Sequence, residues 1–340
     1  MQDVMDPMDI AFPHLGIYLR NVPQSFSIFG FQIALYGVIV ASAFLVSLLI
    51  AAEVGKRTRQ NPDTYWDIAL YVIIMSIVGA RIFYVMFMWD YYSANPIQIF
   101  NLRGGGLAIW GGVIAGVITV ALYCRIKGLN PLILLDTISC GLVVGQVIGR
   151  WGNFFNREVF GGYTDSLLAM RLPLAAVRAR DVTEELAAHV AEGTNYIQVH
   201  PTFLYEGIWN LCLFGLLLLC WKKKKFHGEV ILLYFTGYGI GRAWIEMIRT
   251  DQLYLPGTHF PVCFLVSIAA ILVSAVAEFV IRRGLKEGKY QDLLWDPNGA
   301  PAAAVSAEES TDGSAAVAVS AEESTDGSAE ETAGSAEEQN

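Results

Sequence analysis

Seven stretches of 18 or more mostly apolar residues recur along this chain, and they leave it few folds. They are Ile28–Glu53, Ile68–Trp89, Leu107–Arg125, Leu132–Gly149, Phe203–Trp221, Val230–Ile248 and Phe260–Ile281. Each is long enough to cross the ~30 Å hydrocarbon core of a bilayer as an α-helix. In hydrocarbon every backbone N–H and C=O must find a partner inside the protein, which leaves helices or a closed barrel, and these runs are too long for barrel strands. The expectation is an all-α polytopic membrane protein of about seven transmembrane helices, with the lipid bilayer as its first partner and no nucleic-acid partner.

The connections carry an orientation signal. Lys56, Arg57 and Arg59 follow the first span, Arg125 and Lys127 the third, Lys222–Lys225 the fifth, and Arg282, Arg283, Lys286 and Lys289 the seventh. Positive charge gathers on cytoplasmic loops, so these alternate connections are expected inside and solvated, with the N-terminus outside and the C-terminus cytoplasmic. All eight lysines fall on that side, while the ten basic residues elsewhere are all arginine. Arginine keeps its charge in poor solvent and offers a planar fork of donors that matches phosphate. Arg81 and Arg242 within spans and Arg150 at a span end need more than interface anchoring to explain them.

Three parts are expected: an outer N-terminal arm at 1–27, a membrane domain at 28–282 with an outer insert at 163–199, and a cytoplasmic low-complexity tail at 283–340. Asp181 or Thr183 is placed to cap a short helix in the insert, stopped by Gly193. The tail carries a repeat, Ala304–Ala315 recurring at Ala318–Ala329, and residues 299–340 hold ten acids and no base. The remaining chain is nearly neutral, with 23 basic and 22 acidic residues, so the formal charge of −9 belongs to the tail. A stretch so polar and small buries no core and is expected to be a solvated extension. Asp3, Asp6 and Asp9 stand where a signal peptide carries basic residues. The five cysteines show no C-x-x-C spacing, and neither a metal site nor a cofactor is expected.

Chemistry concentrates at one place. Gly149-Arg150-Trp151-Gly152-Asn153-Phe154-Phe155-Asn156-Arg157-Glu158-Val159-Phe160-Gly161-Gly162 follows directly on the apolar run Leu142–Ile148. An ionisable residue at membrane depth costs about 2.5–3.5 kcal/mol on insertion scales, so it points to function by default. On the sixth span Tyr238, Arg242, Glu246 and Arg249 fall at i, i+4, i+8 and i+11, a stripe roughly 80° wide on one helix face. A structural ion pair between Arg242 and Glu246 would explain the stripe alone, but it ends at the same level as Arg150 and Glu158. Two glycine clusters in Asn101–Gly112, Tyr36 in the first span and His200-Pro201-Thr202-Phe203-Leu204-Tyr205-Glu206 at the opening of the fifth point to that level too. Glycines there can expose N–H groups to an anion, although helix packing is their commoner use.

The pattern G-R-x-G-N-F-x-N-x-E-x-x-G resembles the signature of the bacterial phosphatidylglycerol–prolipoprotein diacylglyceryl transferases, and every fixed position is present. The resemblance runs in order from about Gln32 to Arg249 and leaves out the tail and much of the insert. It implies a site in which Arg150 holds the phosphatidylglycerol headgroup with Asn153 beside it. Tyr36, Gly105, Gly111, Glu158, Gly161, Arg242 and Glu246 fall on the family's other functional positions. Some members of the family carry a histidine, considered as a base, where this chain has Trp110, and tryptophan accepts no proton. His200 and Glu246 are then the candidate bases.

By that resemblance the chain would move a diacylglyceryl group from phosphatidylglycerol to the lipobox cysteine of a prolipoprotein, releasing glycerol phosphate, in the bacterial plasma or inner membrane. Negative charge would pass from sulfur to a phosphate oxygen. Arg150 and Arg242 are assigned to the phosphate, with Glu158 and Glu246 orienting them. A membrane anion or lipid transporter is the alternative from another class, since glycine-broken spans and buried arginines suit one. Polar residues gathered toward one leaflet, and seven spans that divide poorly into repeats, count against it.

Overall fold

The computed structural model describes residues 4–102 and 105–295, so the acidic repeats lie outside the described residues. The chain opens with strands β1 (Ile10–Phe12) and β2 (Ile17–Leu19) and a hairpin of β3 (Ser25–Ile28) and β4 (Phe31–Ala34). There follow α1 (Leu35–Arg57), α2 (Asp63–Phe87), the short α3 (Trp89–Ala94), α4 (Ile109–Lys127) and α5 (Pro131–Asn156). Strand β5 (Met170–Pro173), the one-turn α6 (Glu184–Ala188) and β6 (Tyr196–Val199) form the insert, and α7 (Thr202–Trp221), α8 (Glu229–Glu246) and α9 (Val262–Lys286) complete the chain.

Among the described residues six helices are long and apolar enough to cross a membrane: α1, α2, α4, α5, α7 and α9. The expected sixth span, α8, is a helix of only 18 residues, so no window of that length avoids its three charges, Glu229, Arg242 and Glu246. Helix α5 is central and packs on α1, α7 and α8; α2 pairs with α4, and α9 packs on α8. Of the six, α5 is the most buried and α9 the least. Faces without a protein neighbour carry exposed Ile82, Val117, Leu219 and Phe279, side chains that hydrocarbon would solvate.

The chain reverses at each long helix, so the basic ends of α1, α4, α7 and α9 lie together. A cluster of Ala51, Ala52, Tyr65, Ile68, Tyr123, Cys124 and Leu134 closes this basic end. Lys222, Lys223 and Lys225 are exposed as expected, but Lys224 is buried. Its Nζ lies 3.1 Å from Asp136 Oδ2 and over the rings of both Trp221 and Trp295. Asp136, fully buried within α5, also accepts from the backbone N–H of Gly228 and Ile231 and so caps α8. An unpaired carboxylate there would be untenable; three donors make it a cap. The chain stays packed beyond α9, with Trp295 N–H donating to Lys225 O, so the expected tail boundary at 283 falls too early.

The all-α expectation misses two small sheets. Strands β1 and β2 of the arm join β5 and β6 of the insert in one antiparallel sheet of order β2-β1-β5-β6, with Ile10 opposite Leu19 and Arg171 opposite Gln198. Arm and insert therefore form one head around Ile10, Phe12, Met170, Leu172, Ile197 and Val199, with Phe154 of α5 and Phe203 of α7 in the same core. Thr183 caps α6, accepting from Leu186 N–H. The head is thus tied by packing to α5 and α7.

Candidate active site

The expected break at Gly149 is absent. Helix α5 runs seven residues further, through Asn156, so the polar signature is helical and faces neighbouring helices. The helix ends at Arg157, in the left-handed region at φ 52°, and Val159 has φ 59°. Buried Arg157 donates to the carbonyls of Met8 and Val22 and pins the arm to this turn. The turn swings Glu158 back so that its Oε1 accepts from Asn153 at 3.2 Å and Asn156 at 3.3 Å. Its Oε2 pairs with Arg178 of the insert at 2.5 Å.

The centre of the candidate site is a carboxylate that the sequence brings to this level without assigning it a role. Glu206, in the second turn of α7 and 2% exposed, lies between two arginines. Arg242 Nη1 of α8 donates to its Oε1 at 2.8 Å, and Arg150 Nη2 of α5 sits 2.5 Å from its Oε2. The second contact is one of charge only: no donor among the described residues meets Oε2 in hydrogen-bond geometry. Arg242 Nη2 donates to Glu246 at 2.7 Å, Arg249 Nη1 lies 3.5 Å from the same oxygen, and Arg249 grips Asp251 through two bonds of 2.9 Å. Buried charges survive only when paired and hydrogen-bonded, and this row alternates in sign from Arg150 to Asp251. Glu246 orients Arg242 as expected. Glu158 serves Asn153 and Arg178 rather than either central arginine, and Glu206 takes that task. A carboxylate one turn inside an apolar helix was the signal available for it.

The row is not uniform in what it offers a ligand. Arg242 has both terminal nitrogens on carboxylates, and Arg249 is held by Asp251 and Glu246. Arg150 is held by the misaligned contact with Glu206 and a long 3.4 Å bond to Asn153 Oδ1. Its donors are the ones an incoming oxyanion would meet.

Tyr36, at the start of α1, packs where α5 has Gly152: a Cβ there would fall 2.8 Å from the tyrosine ring. Gly161 lies under His200, donates to its carbonyl at 3.0 Å and bridges to Arg249. A side chain there would meet His200 Cβ and Ile248 O, both at 2.8 Å. His200 Nδ1 is 3.1 Å from Tyr205 Oη, and burial holds its imidazole below the ordinary value, so it is neutral at neutral pH and able to take a proton. Gly105 and Gly111 belong to the α2–α4 pair. Gly111 faces Gly79 O at 2.5 Å from a hypothetical Cβ, a helix contact. Gly105, at φ 83°, and Gly106 present carbonyls rather than N–H groups, and both accept from buried Arg81. Arg81 also takes the carbonyls of Gln98, Ile99 and Asn101, so its charge organises that loop. Trp110 is half exposed in the first turn of α4.

Residues 23–280 match the family model described as prolipoprotein diacylglyceryl transferase. The chain is similar to a phosphatidylglycerol–prolipoprotein diacylglyceryl transferase of Clostridioides difficile, 42% identical over 231 residues, which are 68% of this chain and 84% of that protein. A protein of the same description from Finegoldia magna is 38% identical over 76% of this chain and 95% of its own length. One from Staphylococcus haemolyticus is 37% identical over 82% and 92%.

Proposed function

The chain belongs to the prolipoprotein diacylglyceryl transferase family, and we propose that the arginine–glutamate row is where it carries out that transfer. It is a polytopic membrane enzyme that moves the diacylglyceryl group of phosphatidylglycerol to a prolipoprotein. The acceptor in our reading is the lipobox cysteine thiol. The observation that carries the site assignment is a guanidinium with donors to spare, Arg150, held against a buried carboxylate among three helices.

The reaction is displacement at carbon. Sulfur forms a bond to the terminal glyceryl carbon, the bond from that carbon to the phosphate ester oxygen breaks, and glycerol phosphate leaves with the electron pair. A free thiol near pKa 8.5 is only a few per cent thiolate at neutral pH, on the order of one part in thirty. The site must therefore favour thiolate and stabilise the leaving phosphate. Arg150 donates to the phosphate, Asn153 adds a neutral donor, and Arg242 acts through its charge because its fork is filled. Preorganised charge in a dry site counts for more than the same charge in water. The thiol proton passes to neutral His200 or to a carboxylate of the row; Glu206 Oε2, without a hydrogen bond, is the most open acceptor. Tyr36 and Gly161 shape the site by close packing, and Gly105 and Gly111 hold the α2–α4 wall. The reading is tested by incubating the purified protein with phosphatidylglycerol and a lipobox peptide. A diacylglyceryl mass increase on the cysteine is expected, and an unmodified peptide beside an active relative would overturn it.

We place the protein in the bacterial cell membrane with the head outside and the basic end in the cytoplasm, seven helices crossing. A cysteine at Arg180, which is exposed in the head, should react with an impermeant label in intact cells, and one at Lys223 should not. The reverse pattern would put the site on the wrong leaflet. Truncation after Asn298 should leave transfer within about twofold, since residues 299–340 hold no aromatic or basic residue. A tenfold loss at normal membrane abundance would show the tail to be a working part.

A further inference from the structure

The insert sends Arg178 toward the site. Arg178, just after β5, pairs with Glu158 through Nη2 alone, and its side chain is 54% exposed. Its other donors have no protein partner among the described residues. It belongs to the same chain of contacts as Arg150: Arg150 to Asn153, Asn153 to Glu158, Glu158 to Arg178. Of the arginines around the site, Arg242 and Arg249 have filled forks, so Arg150 on the membrane side and Arg178 on the water side have donors left.

The turn that carries Arg178 is tied to the helix-ending turn of α5 through the pair with Glu158. Three residues on, Asp181 is 4% exposed and lies in the field of both Glu158 and Asp251, one at each flank of the arginine–glutamate row. Arg178 thus stands at the water-exposed end of the contacts that run from Arg150 through Asn153 and Glu158. A half-exposed pair with a carboxylate is weak, on the order of 0–1 kcal/mol. The lipid phosphodiester, with two non-bridging oxygens and one charge, or the released monoester, with three oxygens and up to two charges, can displace the carboxylate and take the guanidinium fork.

We propose that Arg178 is a second phosphate ligand at the aqueous mouth, exchanging Glu158 for the phosphate of the glycerol headgroup. This rests on the row being the transfer site. The phosphate can still be esterified in the lipid or already be released as glycerol phosphate, and the test separates the two. Glu158 holds the guanidinium in place while the site is empty and keeps it from closing on the row.

The test uses full-length protein in detergent–lipid micelles, with Michaelis constants for phosphatidylglycerol and for a lipobox peptide and the inhibition constant of added glycerol 1-phosphate. Arg178→Ala is expected to raise the constant for the lipid, the inhibition constant, or both, by about tenfold. Arg178→Lys should recover part of that, with the peptide constant unchanged and the melting temperature that of the wild type. A shift in the lipid constant assigns the ligand as the intact headgroup; a shift in inhibition alone assigns it as the released product. The proposal is overturned if all constants stay within twofold, if only the peptide constant moves, or if turnover and melting temperature fall together with no change in either phosphate constant. Arg150→Lys is measured alongside. Silence at Arg178 with an inactive Arg150→Lys sinks this inference alone, and an active Arg150→Lys sinks the site assignment beneath it.

Discussion

Arg150→Lys should fold, insert and lose roughly 30- to 150-fold in kcat/KM, which corresponds to about 2–3 kcal/mol of transition-state stabilisation. A lysine keeps the charge but is a single point of donation. Arg150 spans Glu206 on one nitrogen and Asn153 on the other, and no ammonium reaches both and a phosphate oxygen together. Were the residue only an interface anchor, either cation would snorkel equally well, and near-normal turnover would reduce the signature to packing. The measurement is diacylglyceryl transfer to a lipobox peptide at matched protein levels. Asn153→Ala should be impaired as well, and the double variant should lose less than the sum, because the two side chains are bonded to each other and are proposed to share one phosphate.

Glu206→Ala should be damaging in a different way. It removes the carboxylate shared by Arg150 and Arg242, and stripping one partner from a buried pair costs about 3–5 kcal/mol because the remaining charge is stranded. Arg242 keeps Glu246, so the stranded charge is Arg150. We expect a melting temperature in detergent well below that of the wild type and transfer near background. Glu206→Gln preserves the shape and one acceptor, and should melt between the two. An alanine variant as stable as the wild type would mean that water already reaches these charges, and the low-dielectric account of the site would fail with it.

The long helices were legible because each presents a run of apolar residues that nothing but a span explains. Their ends were not. The turn of the hairpin and β4 fall inside the first span because Ile28, Phe29, Phe31 and Ile33 are as apolar as the helix after them, and a short apolar run has no period to tell strand from helix. Helix α5 reads as shorter because Arg150, Asn153 and Asn156 look like a helix leaving the membrane; they are polar because Glu206 of α7 and Glu158 of the following turn supply partners, which no reading of one segment shows. Glu206 was missed for the same reason, since its meaning lies in residues 56 positions before it and 36 after. The head sheet joins strands of three and four residues from regions about 160 positions apart, too short to carry a pattern and too distant to pair by inspection. What the motif conveyed was which residues matter. What the fold adds is who holds whom.

The cap that Asp136 places on α8 makes that helix a lever with its fulcrum at the opposite face of the membrane. Arg242 lies 13 residues beyond Glu229, about 20 Å along the axis at 1.5 Å per residue. A tilt of about 3° at the fulcrum therefore carries the guanidinium about 1 Å, and a 1 Å misplacement at a reacting centre can cost on the order of 100-fold. Lys224, clamped between Trp221 and Trp295 against Asp136, sets the angle of that lever. Residues at the basic end of the fold thus bear on the alignment of Arg242, and a change that loosens this clamp should be felt at the far end of α8.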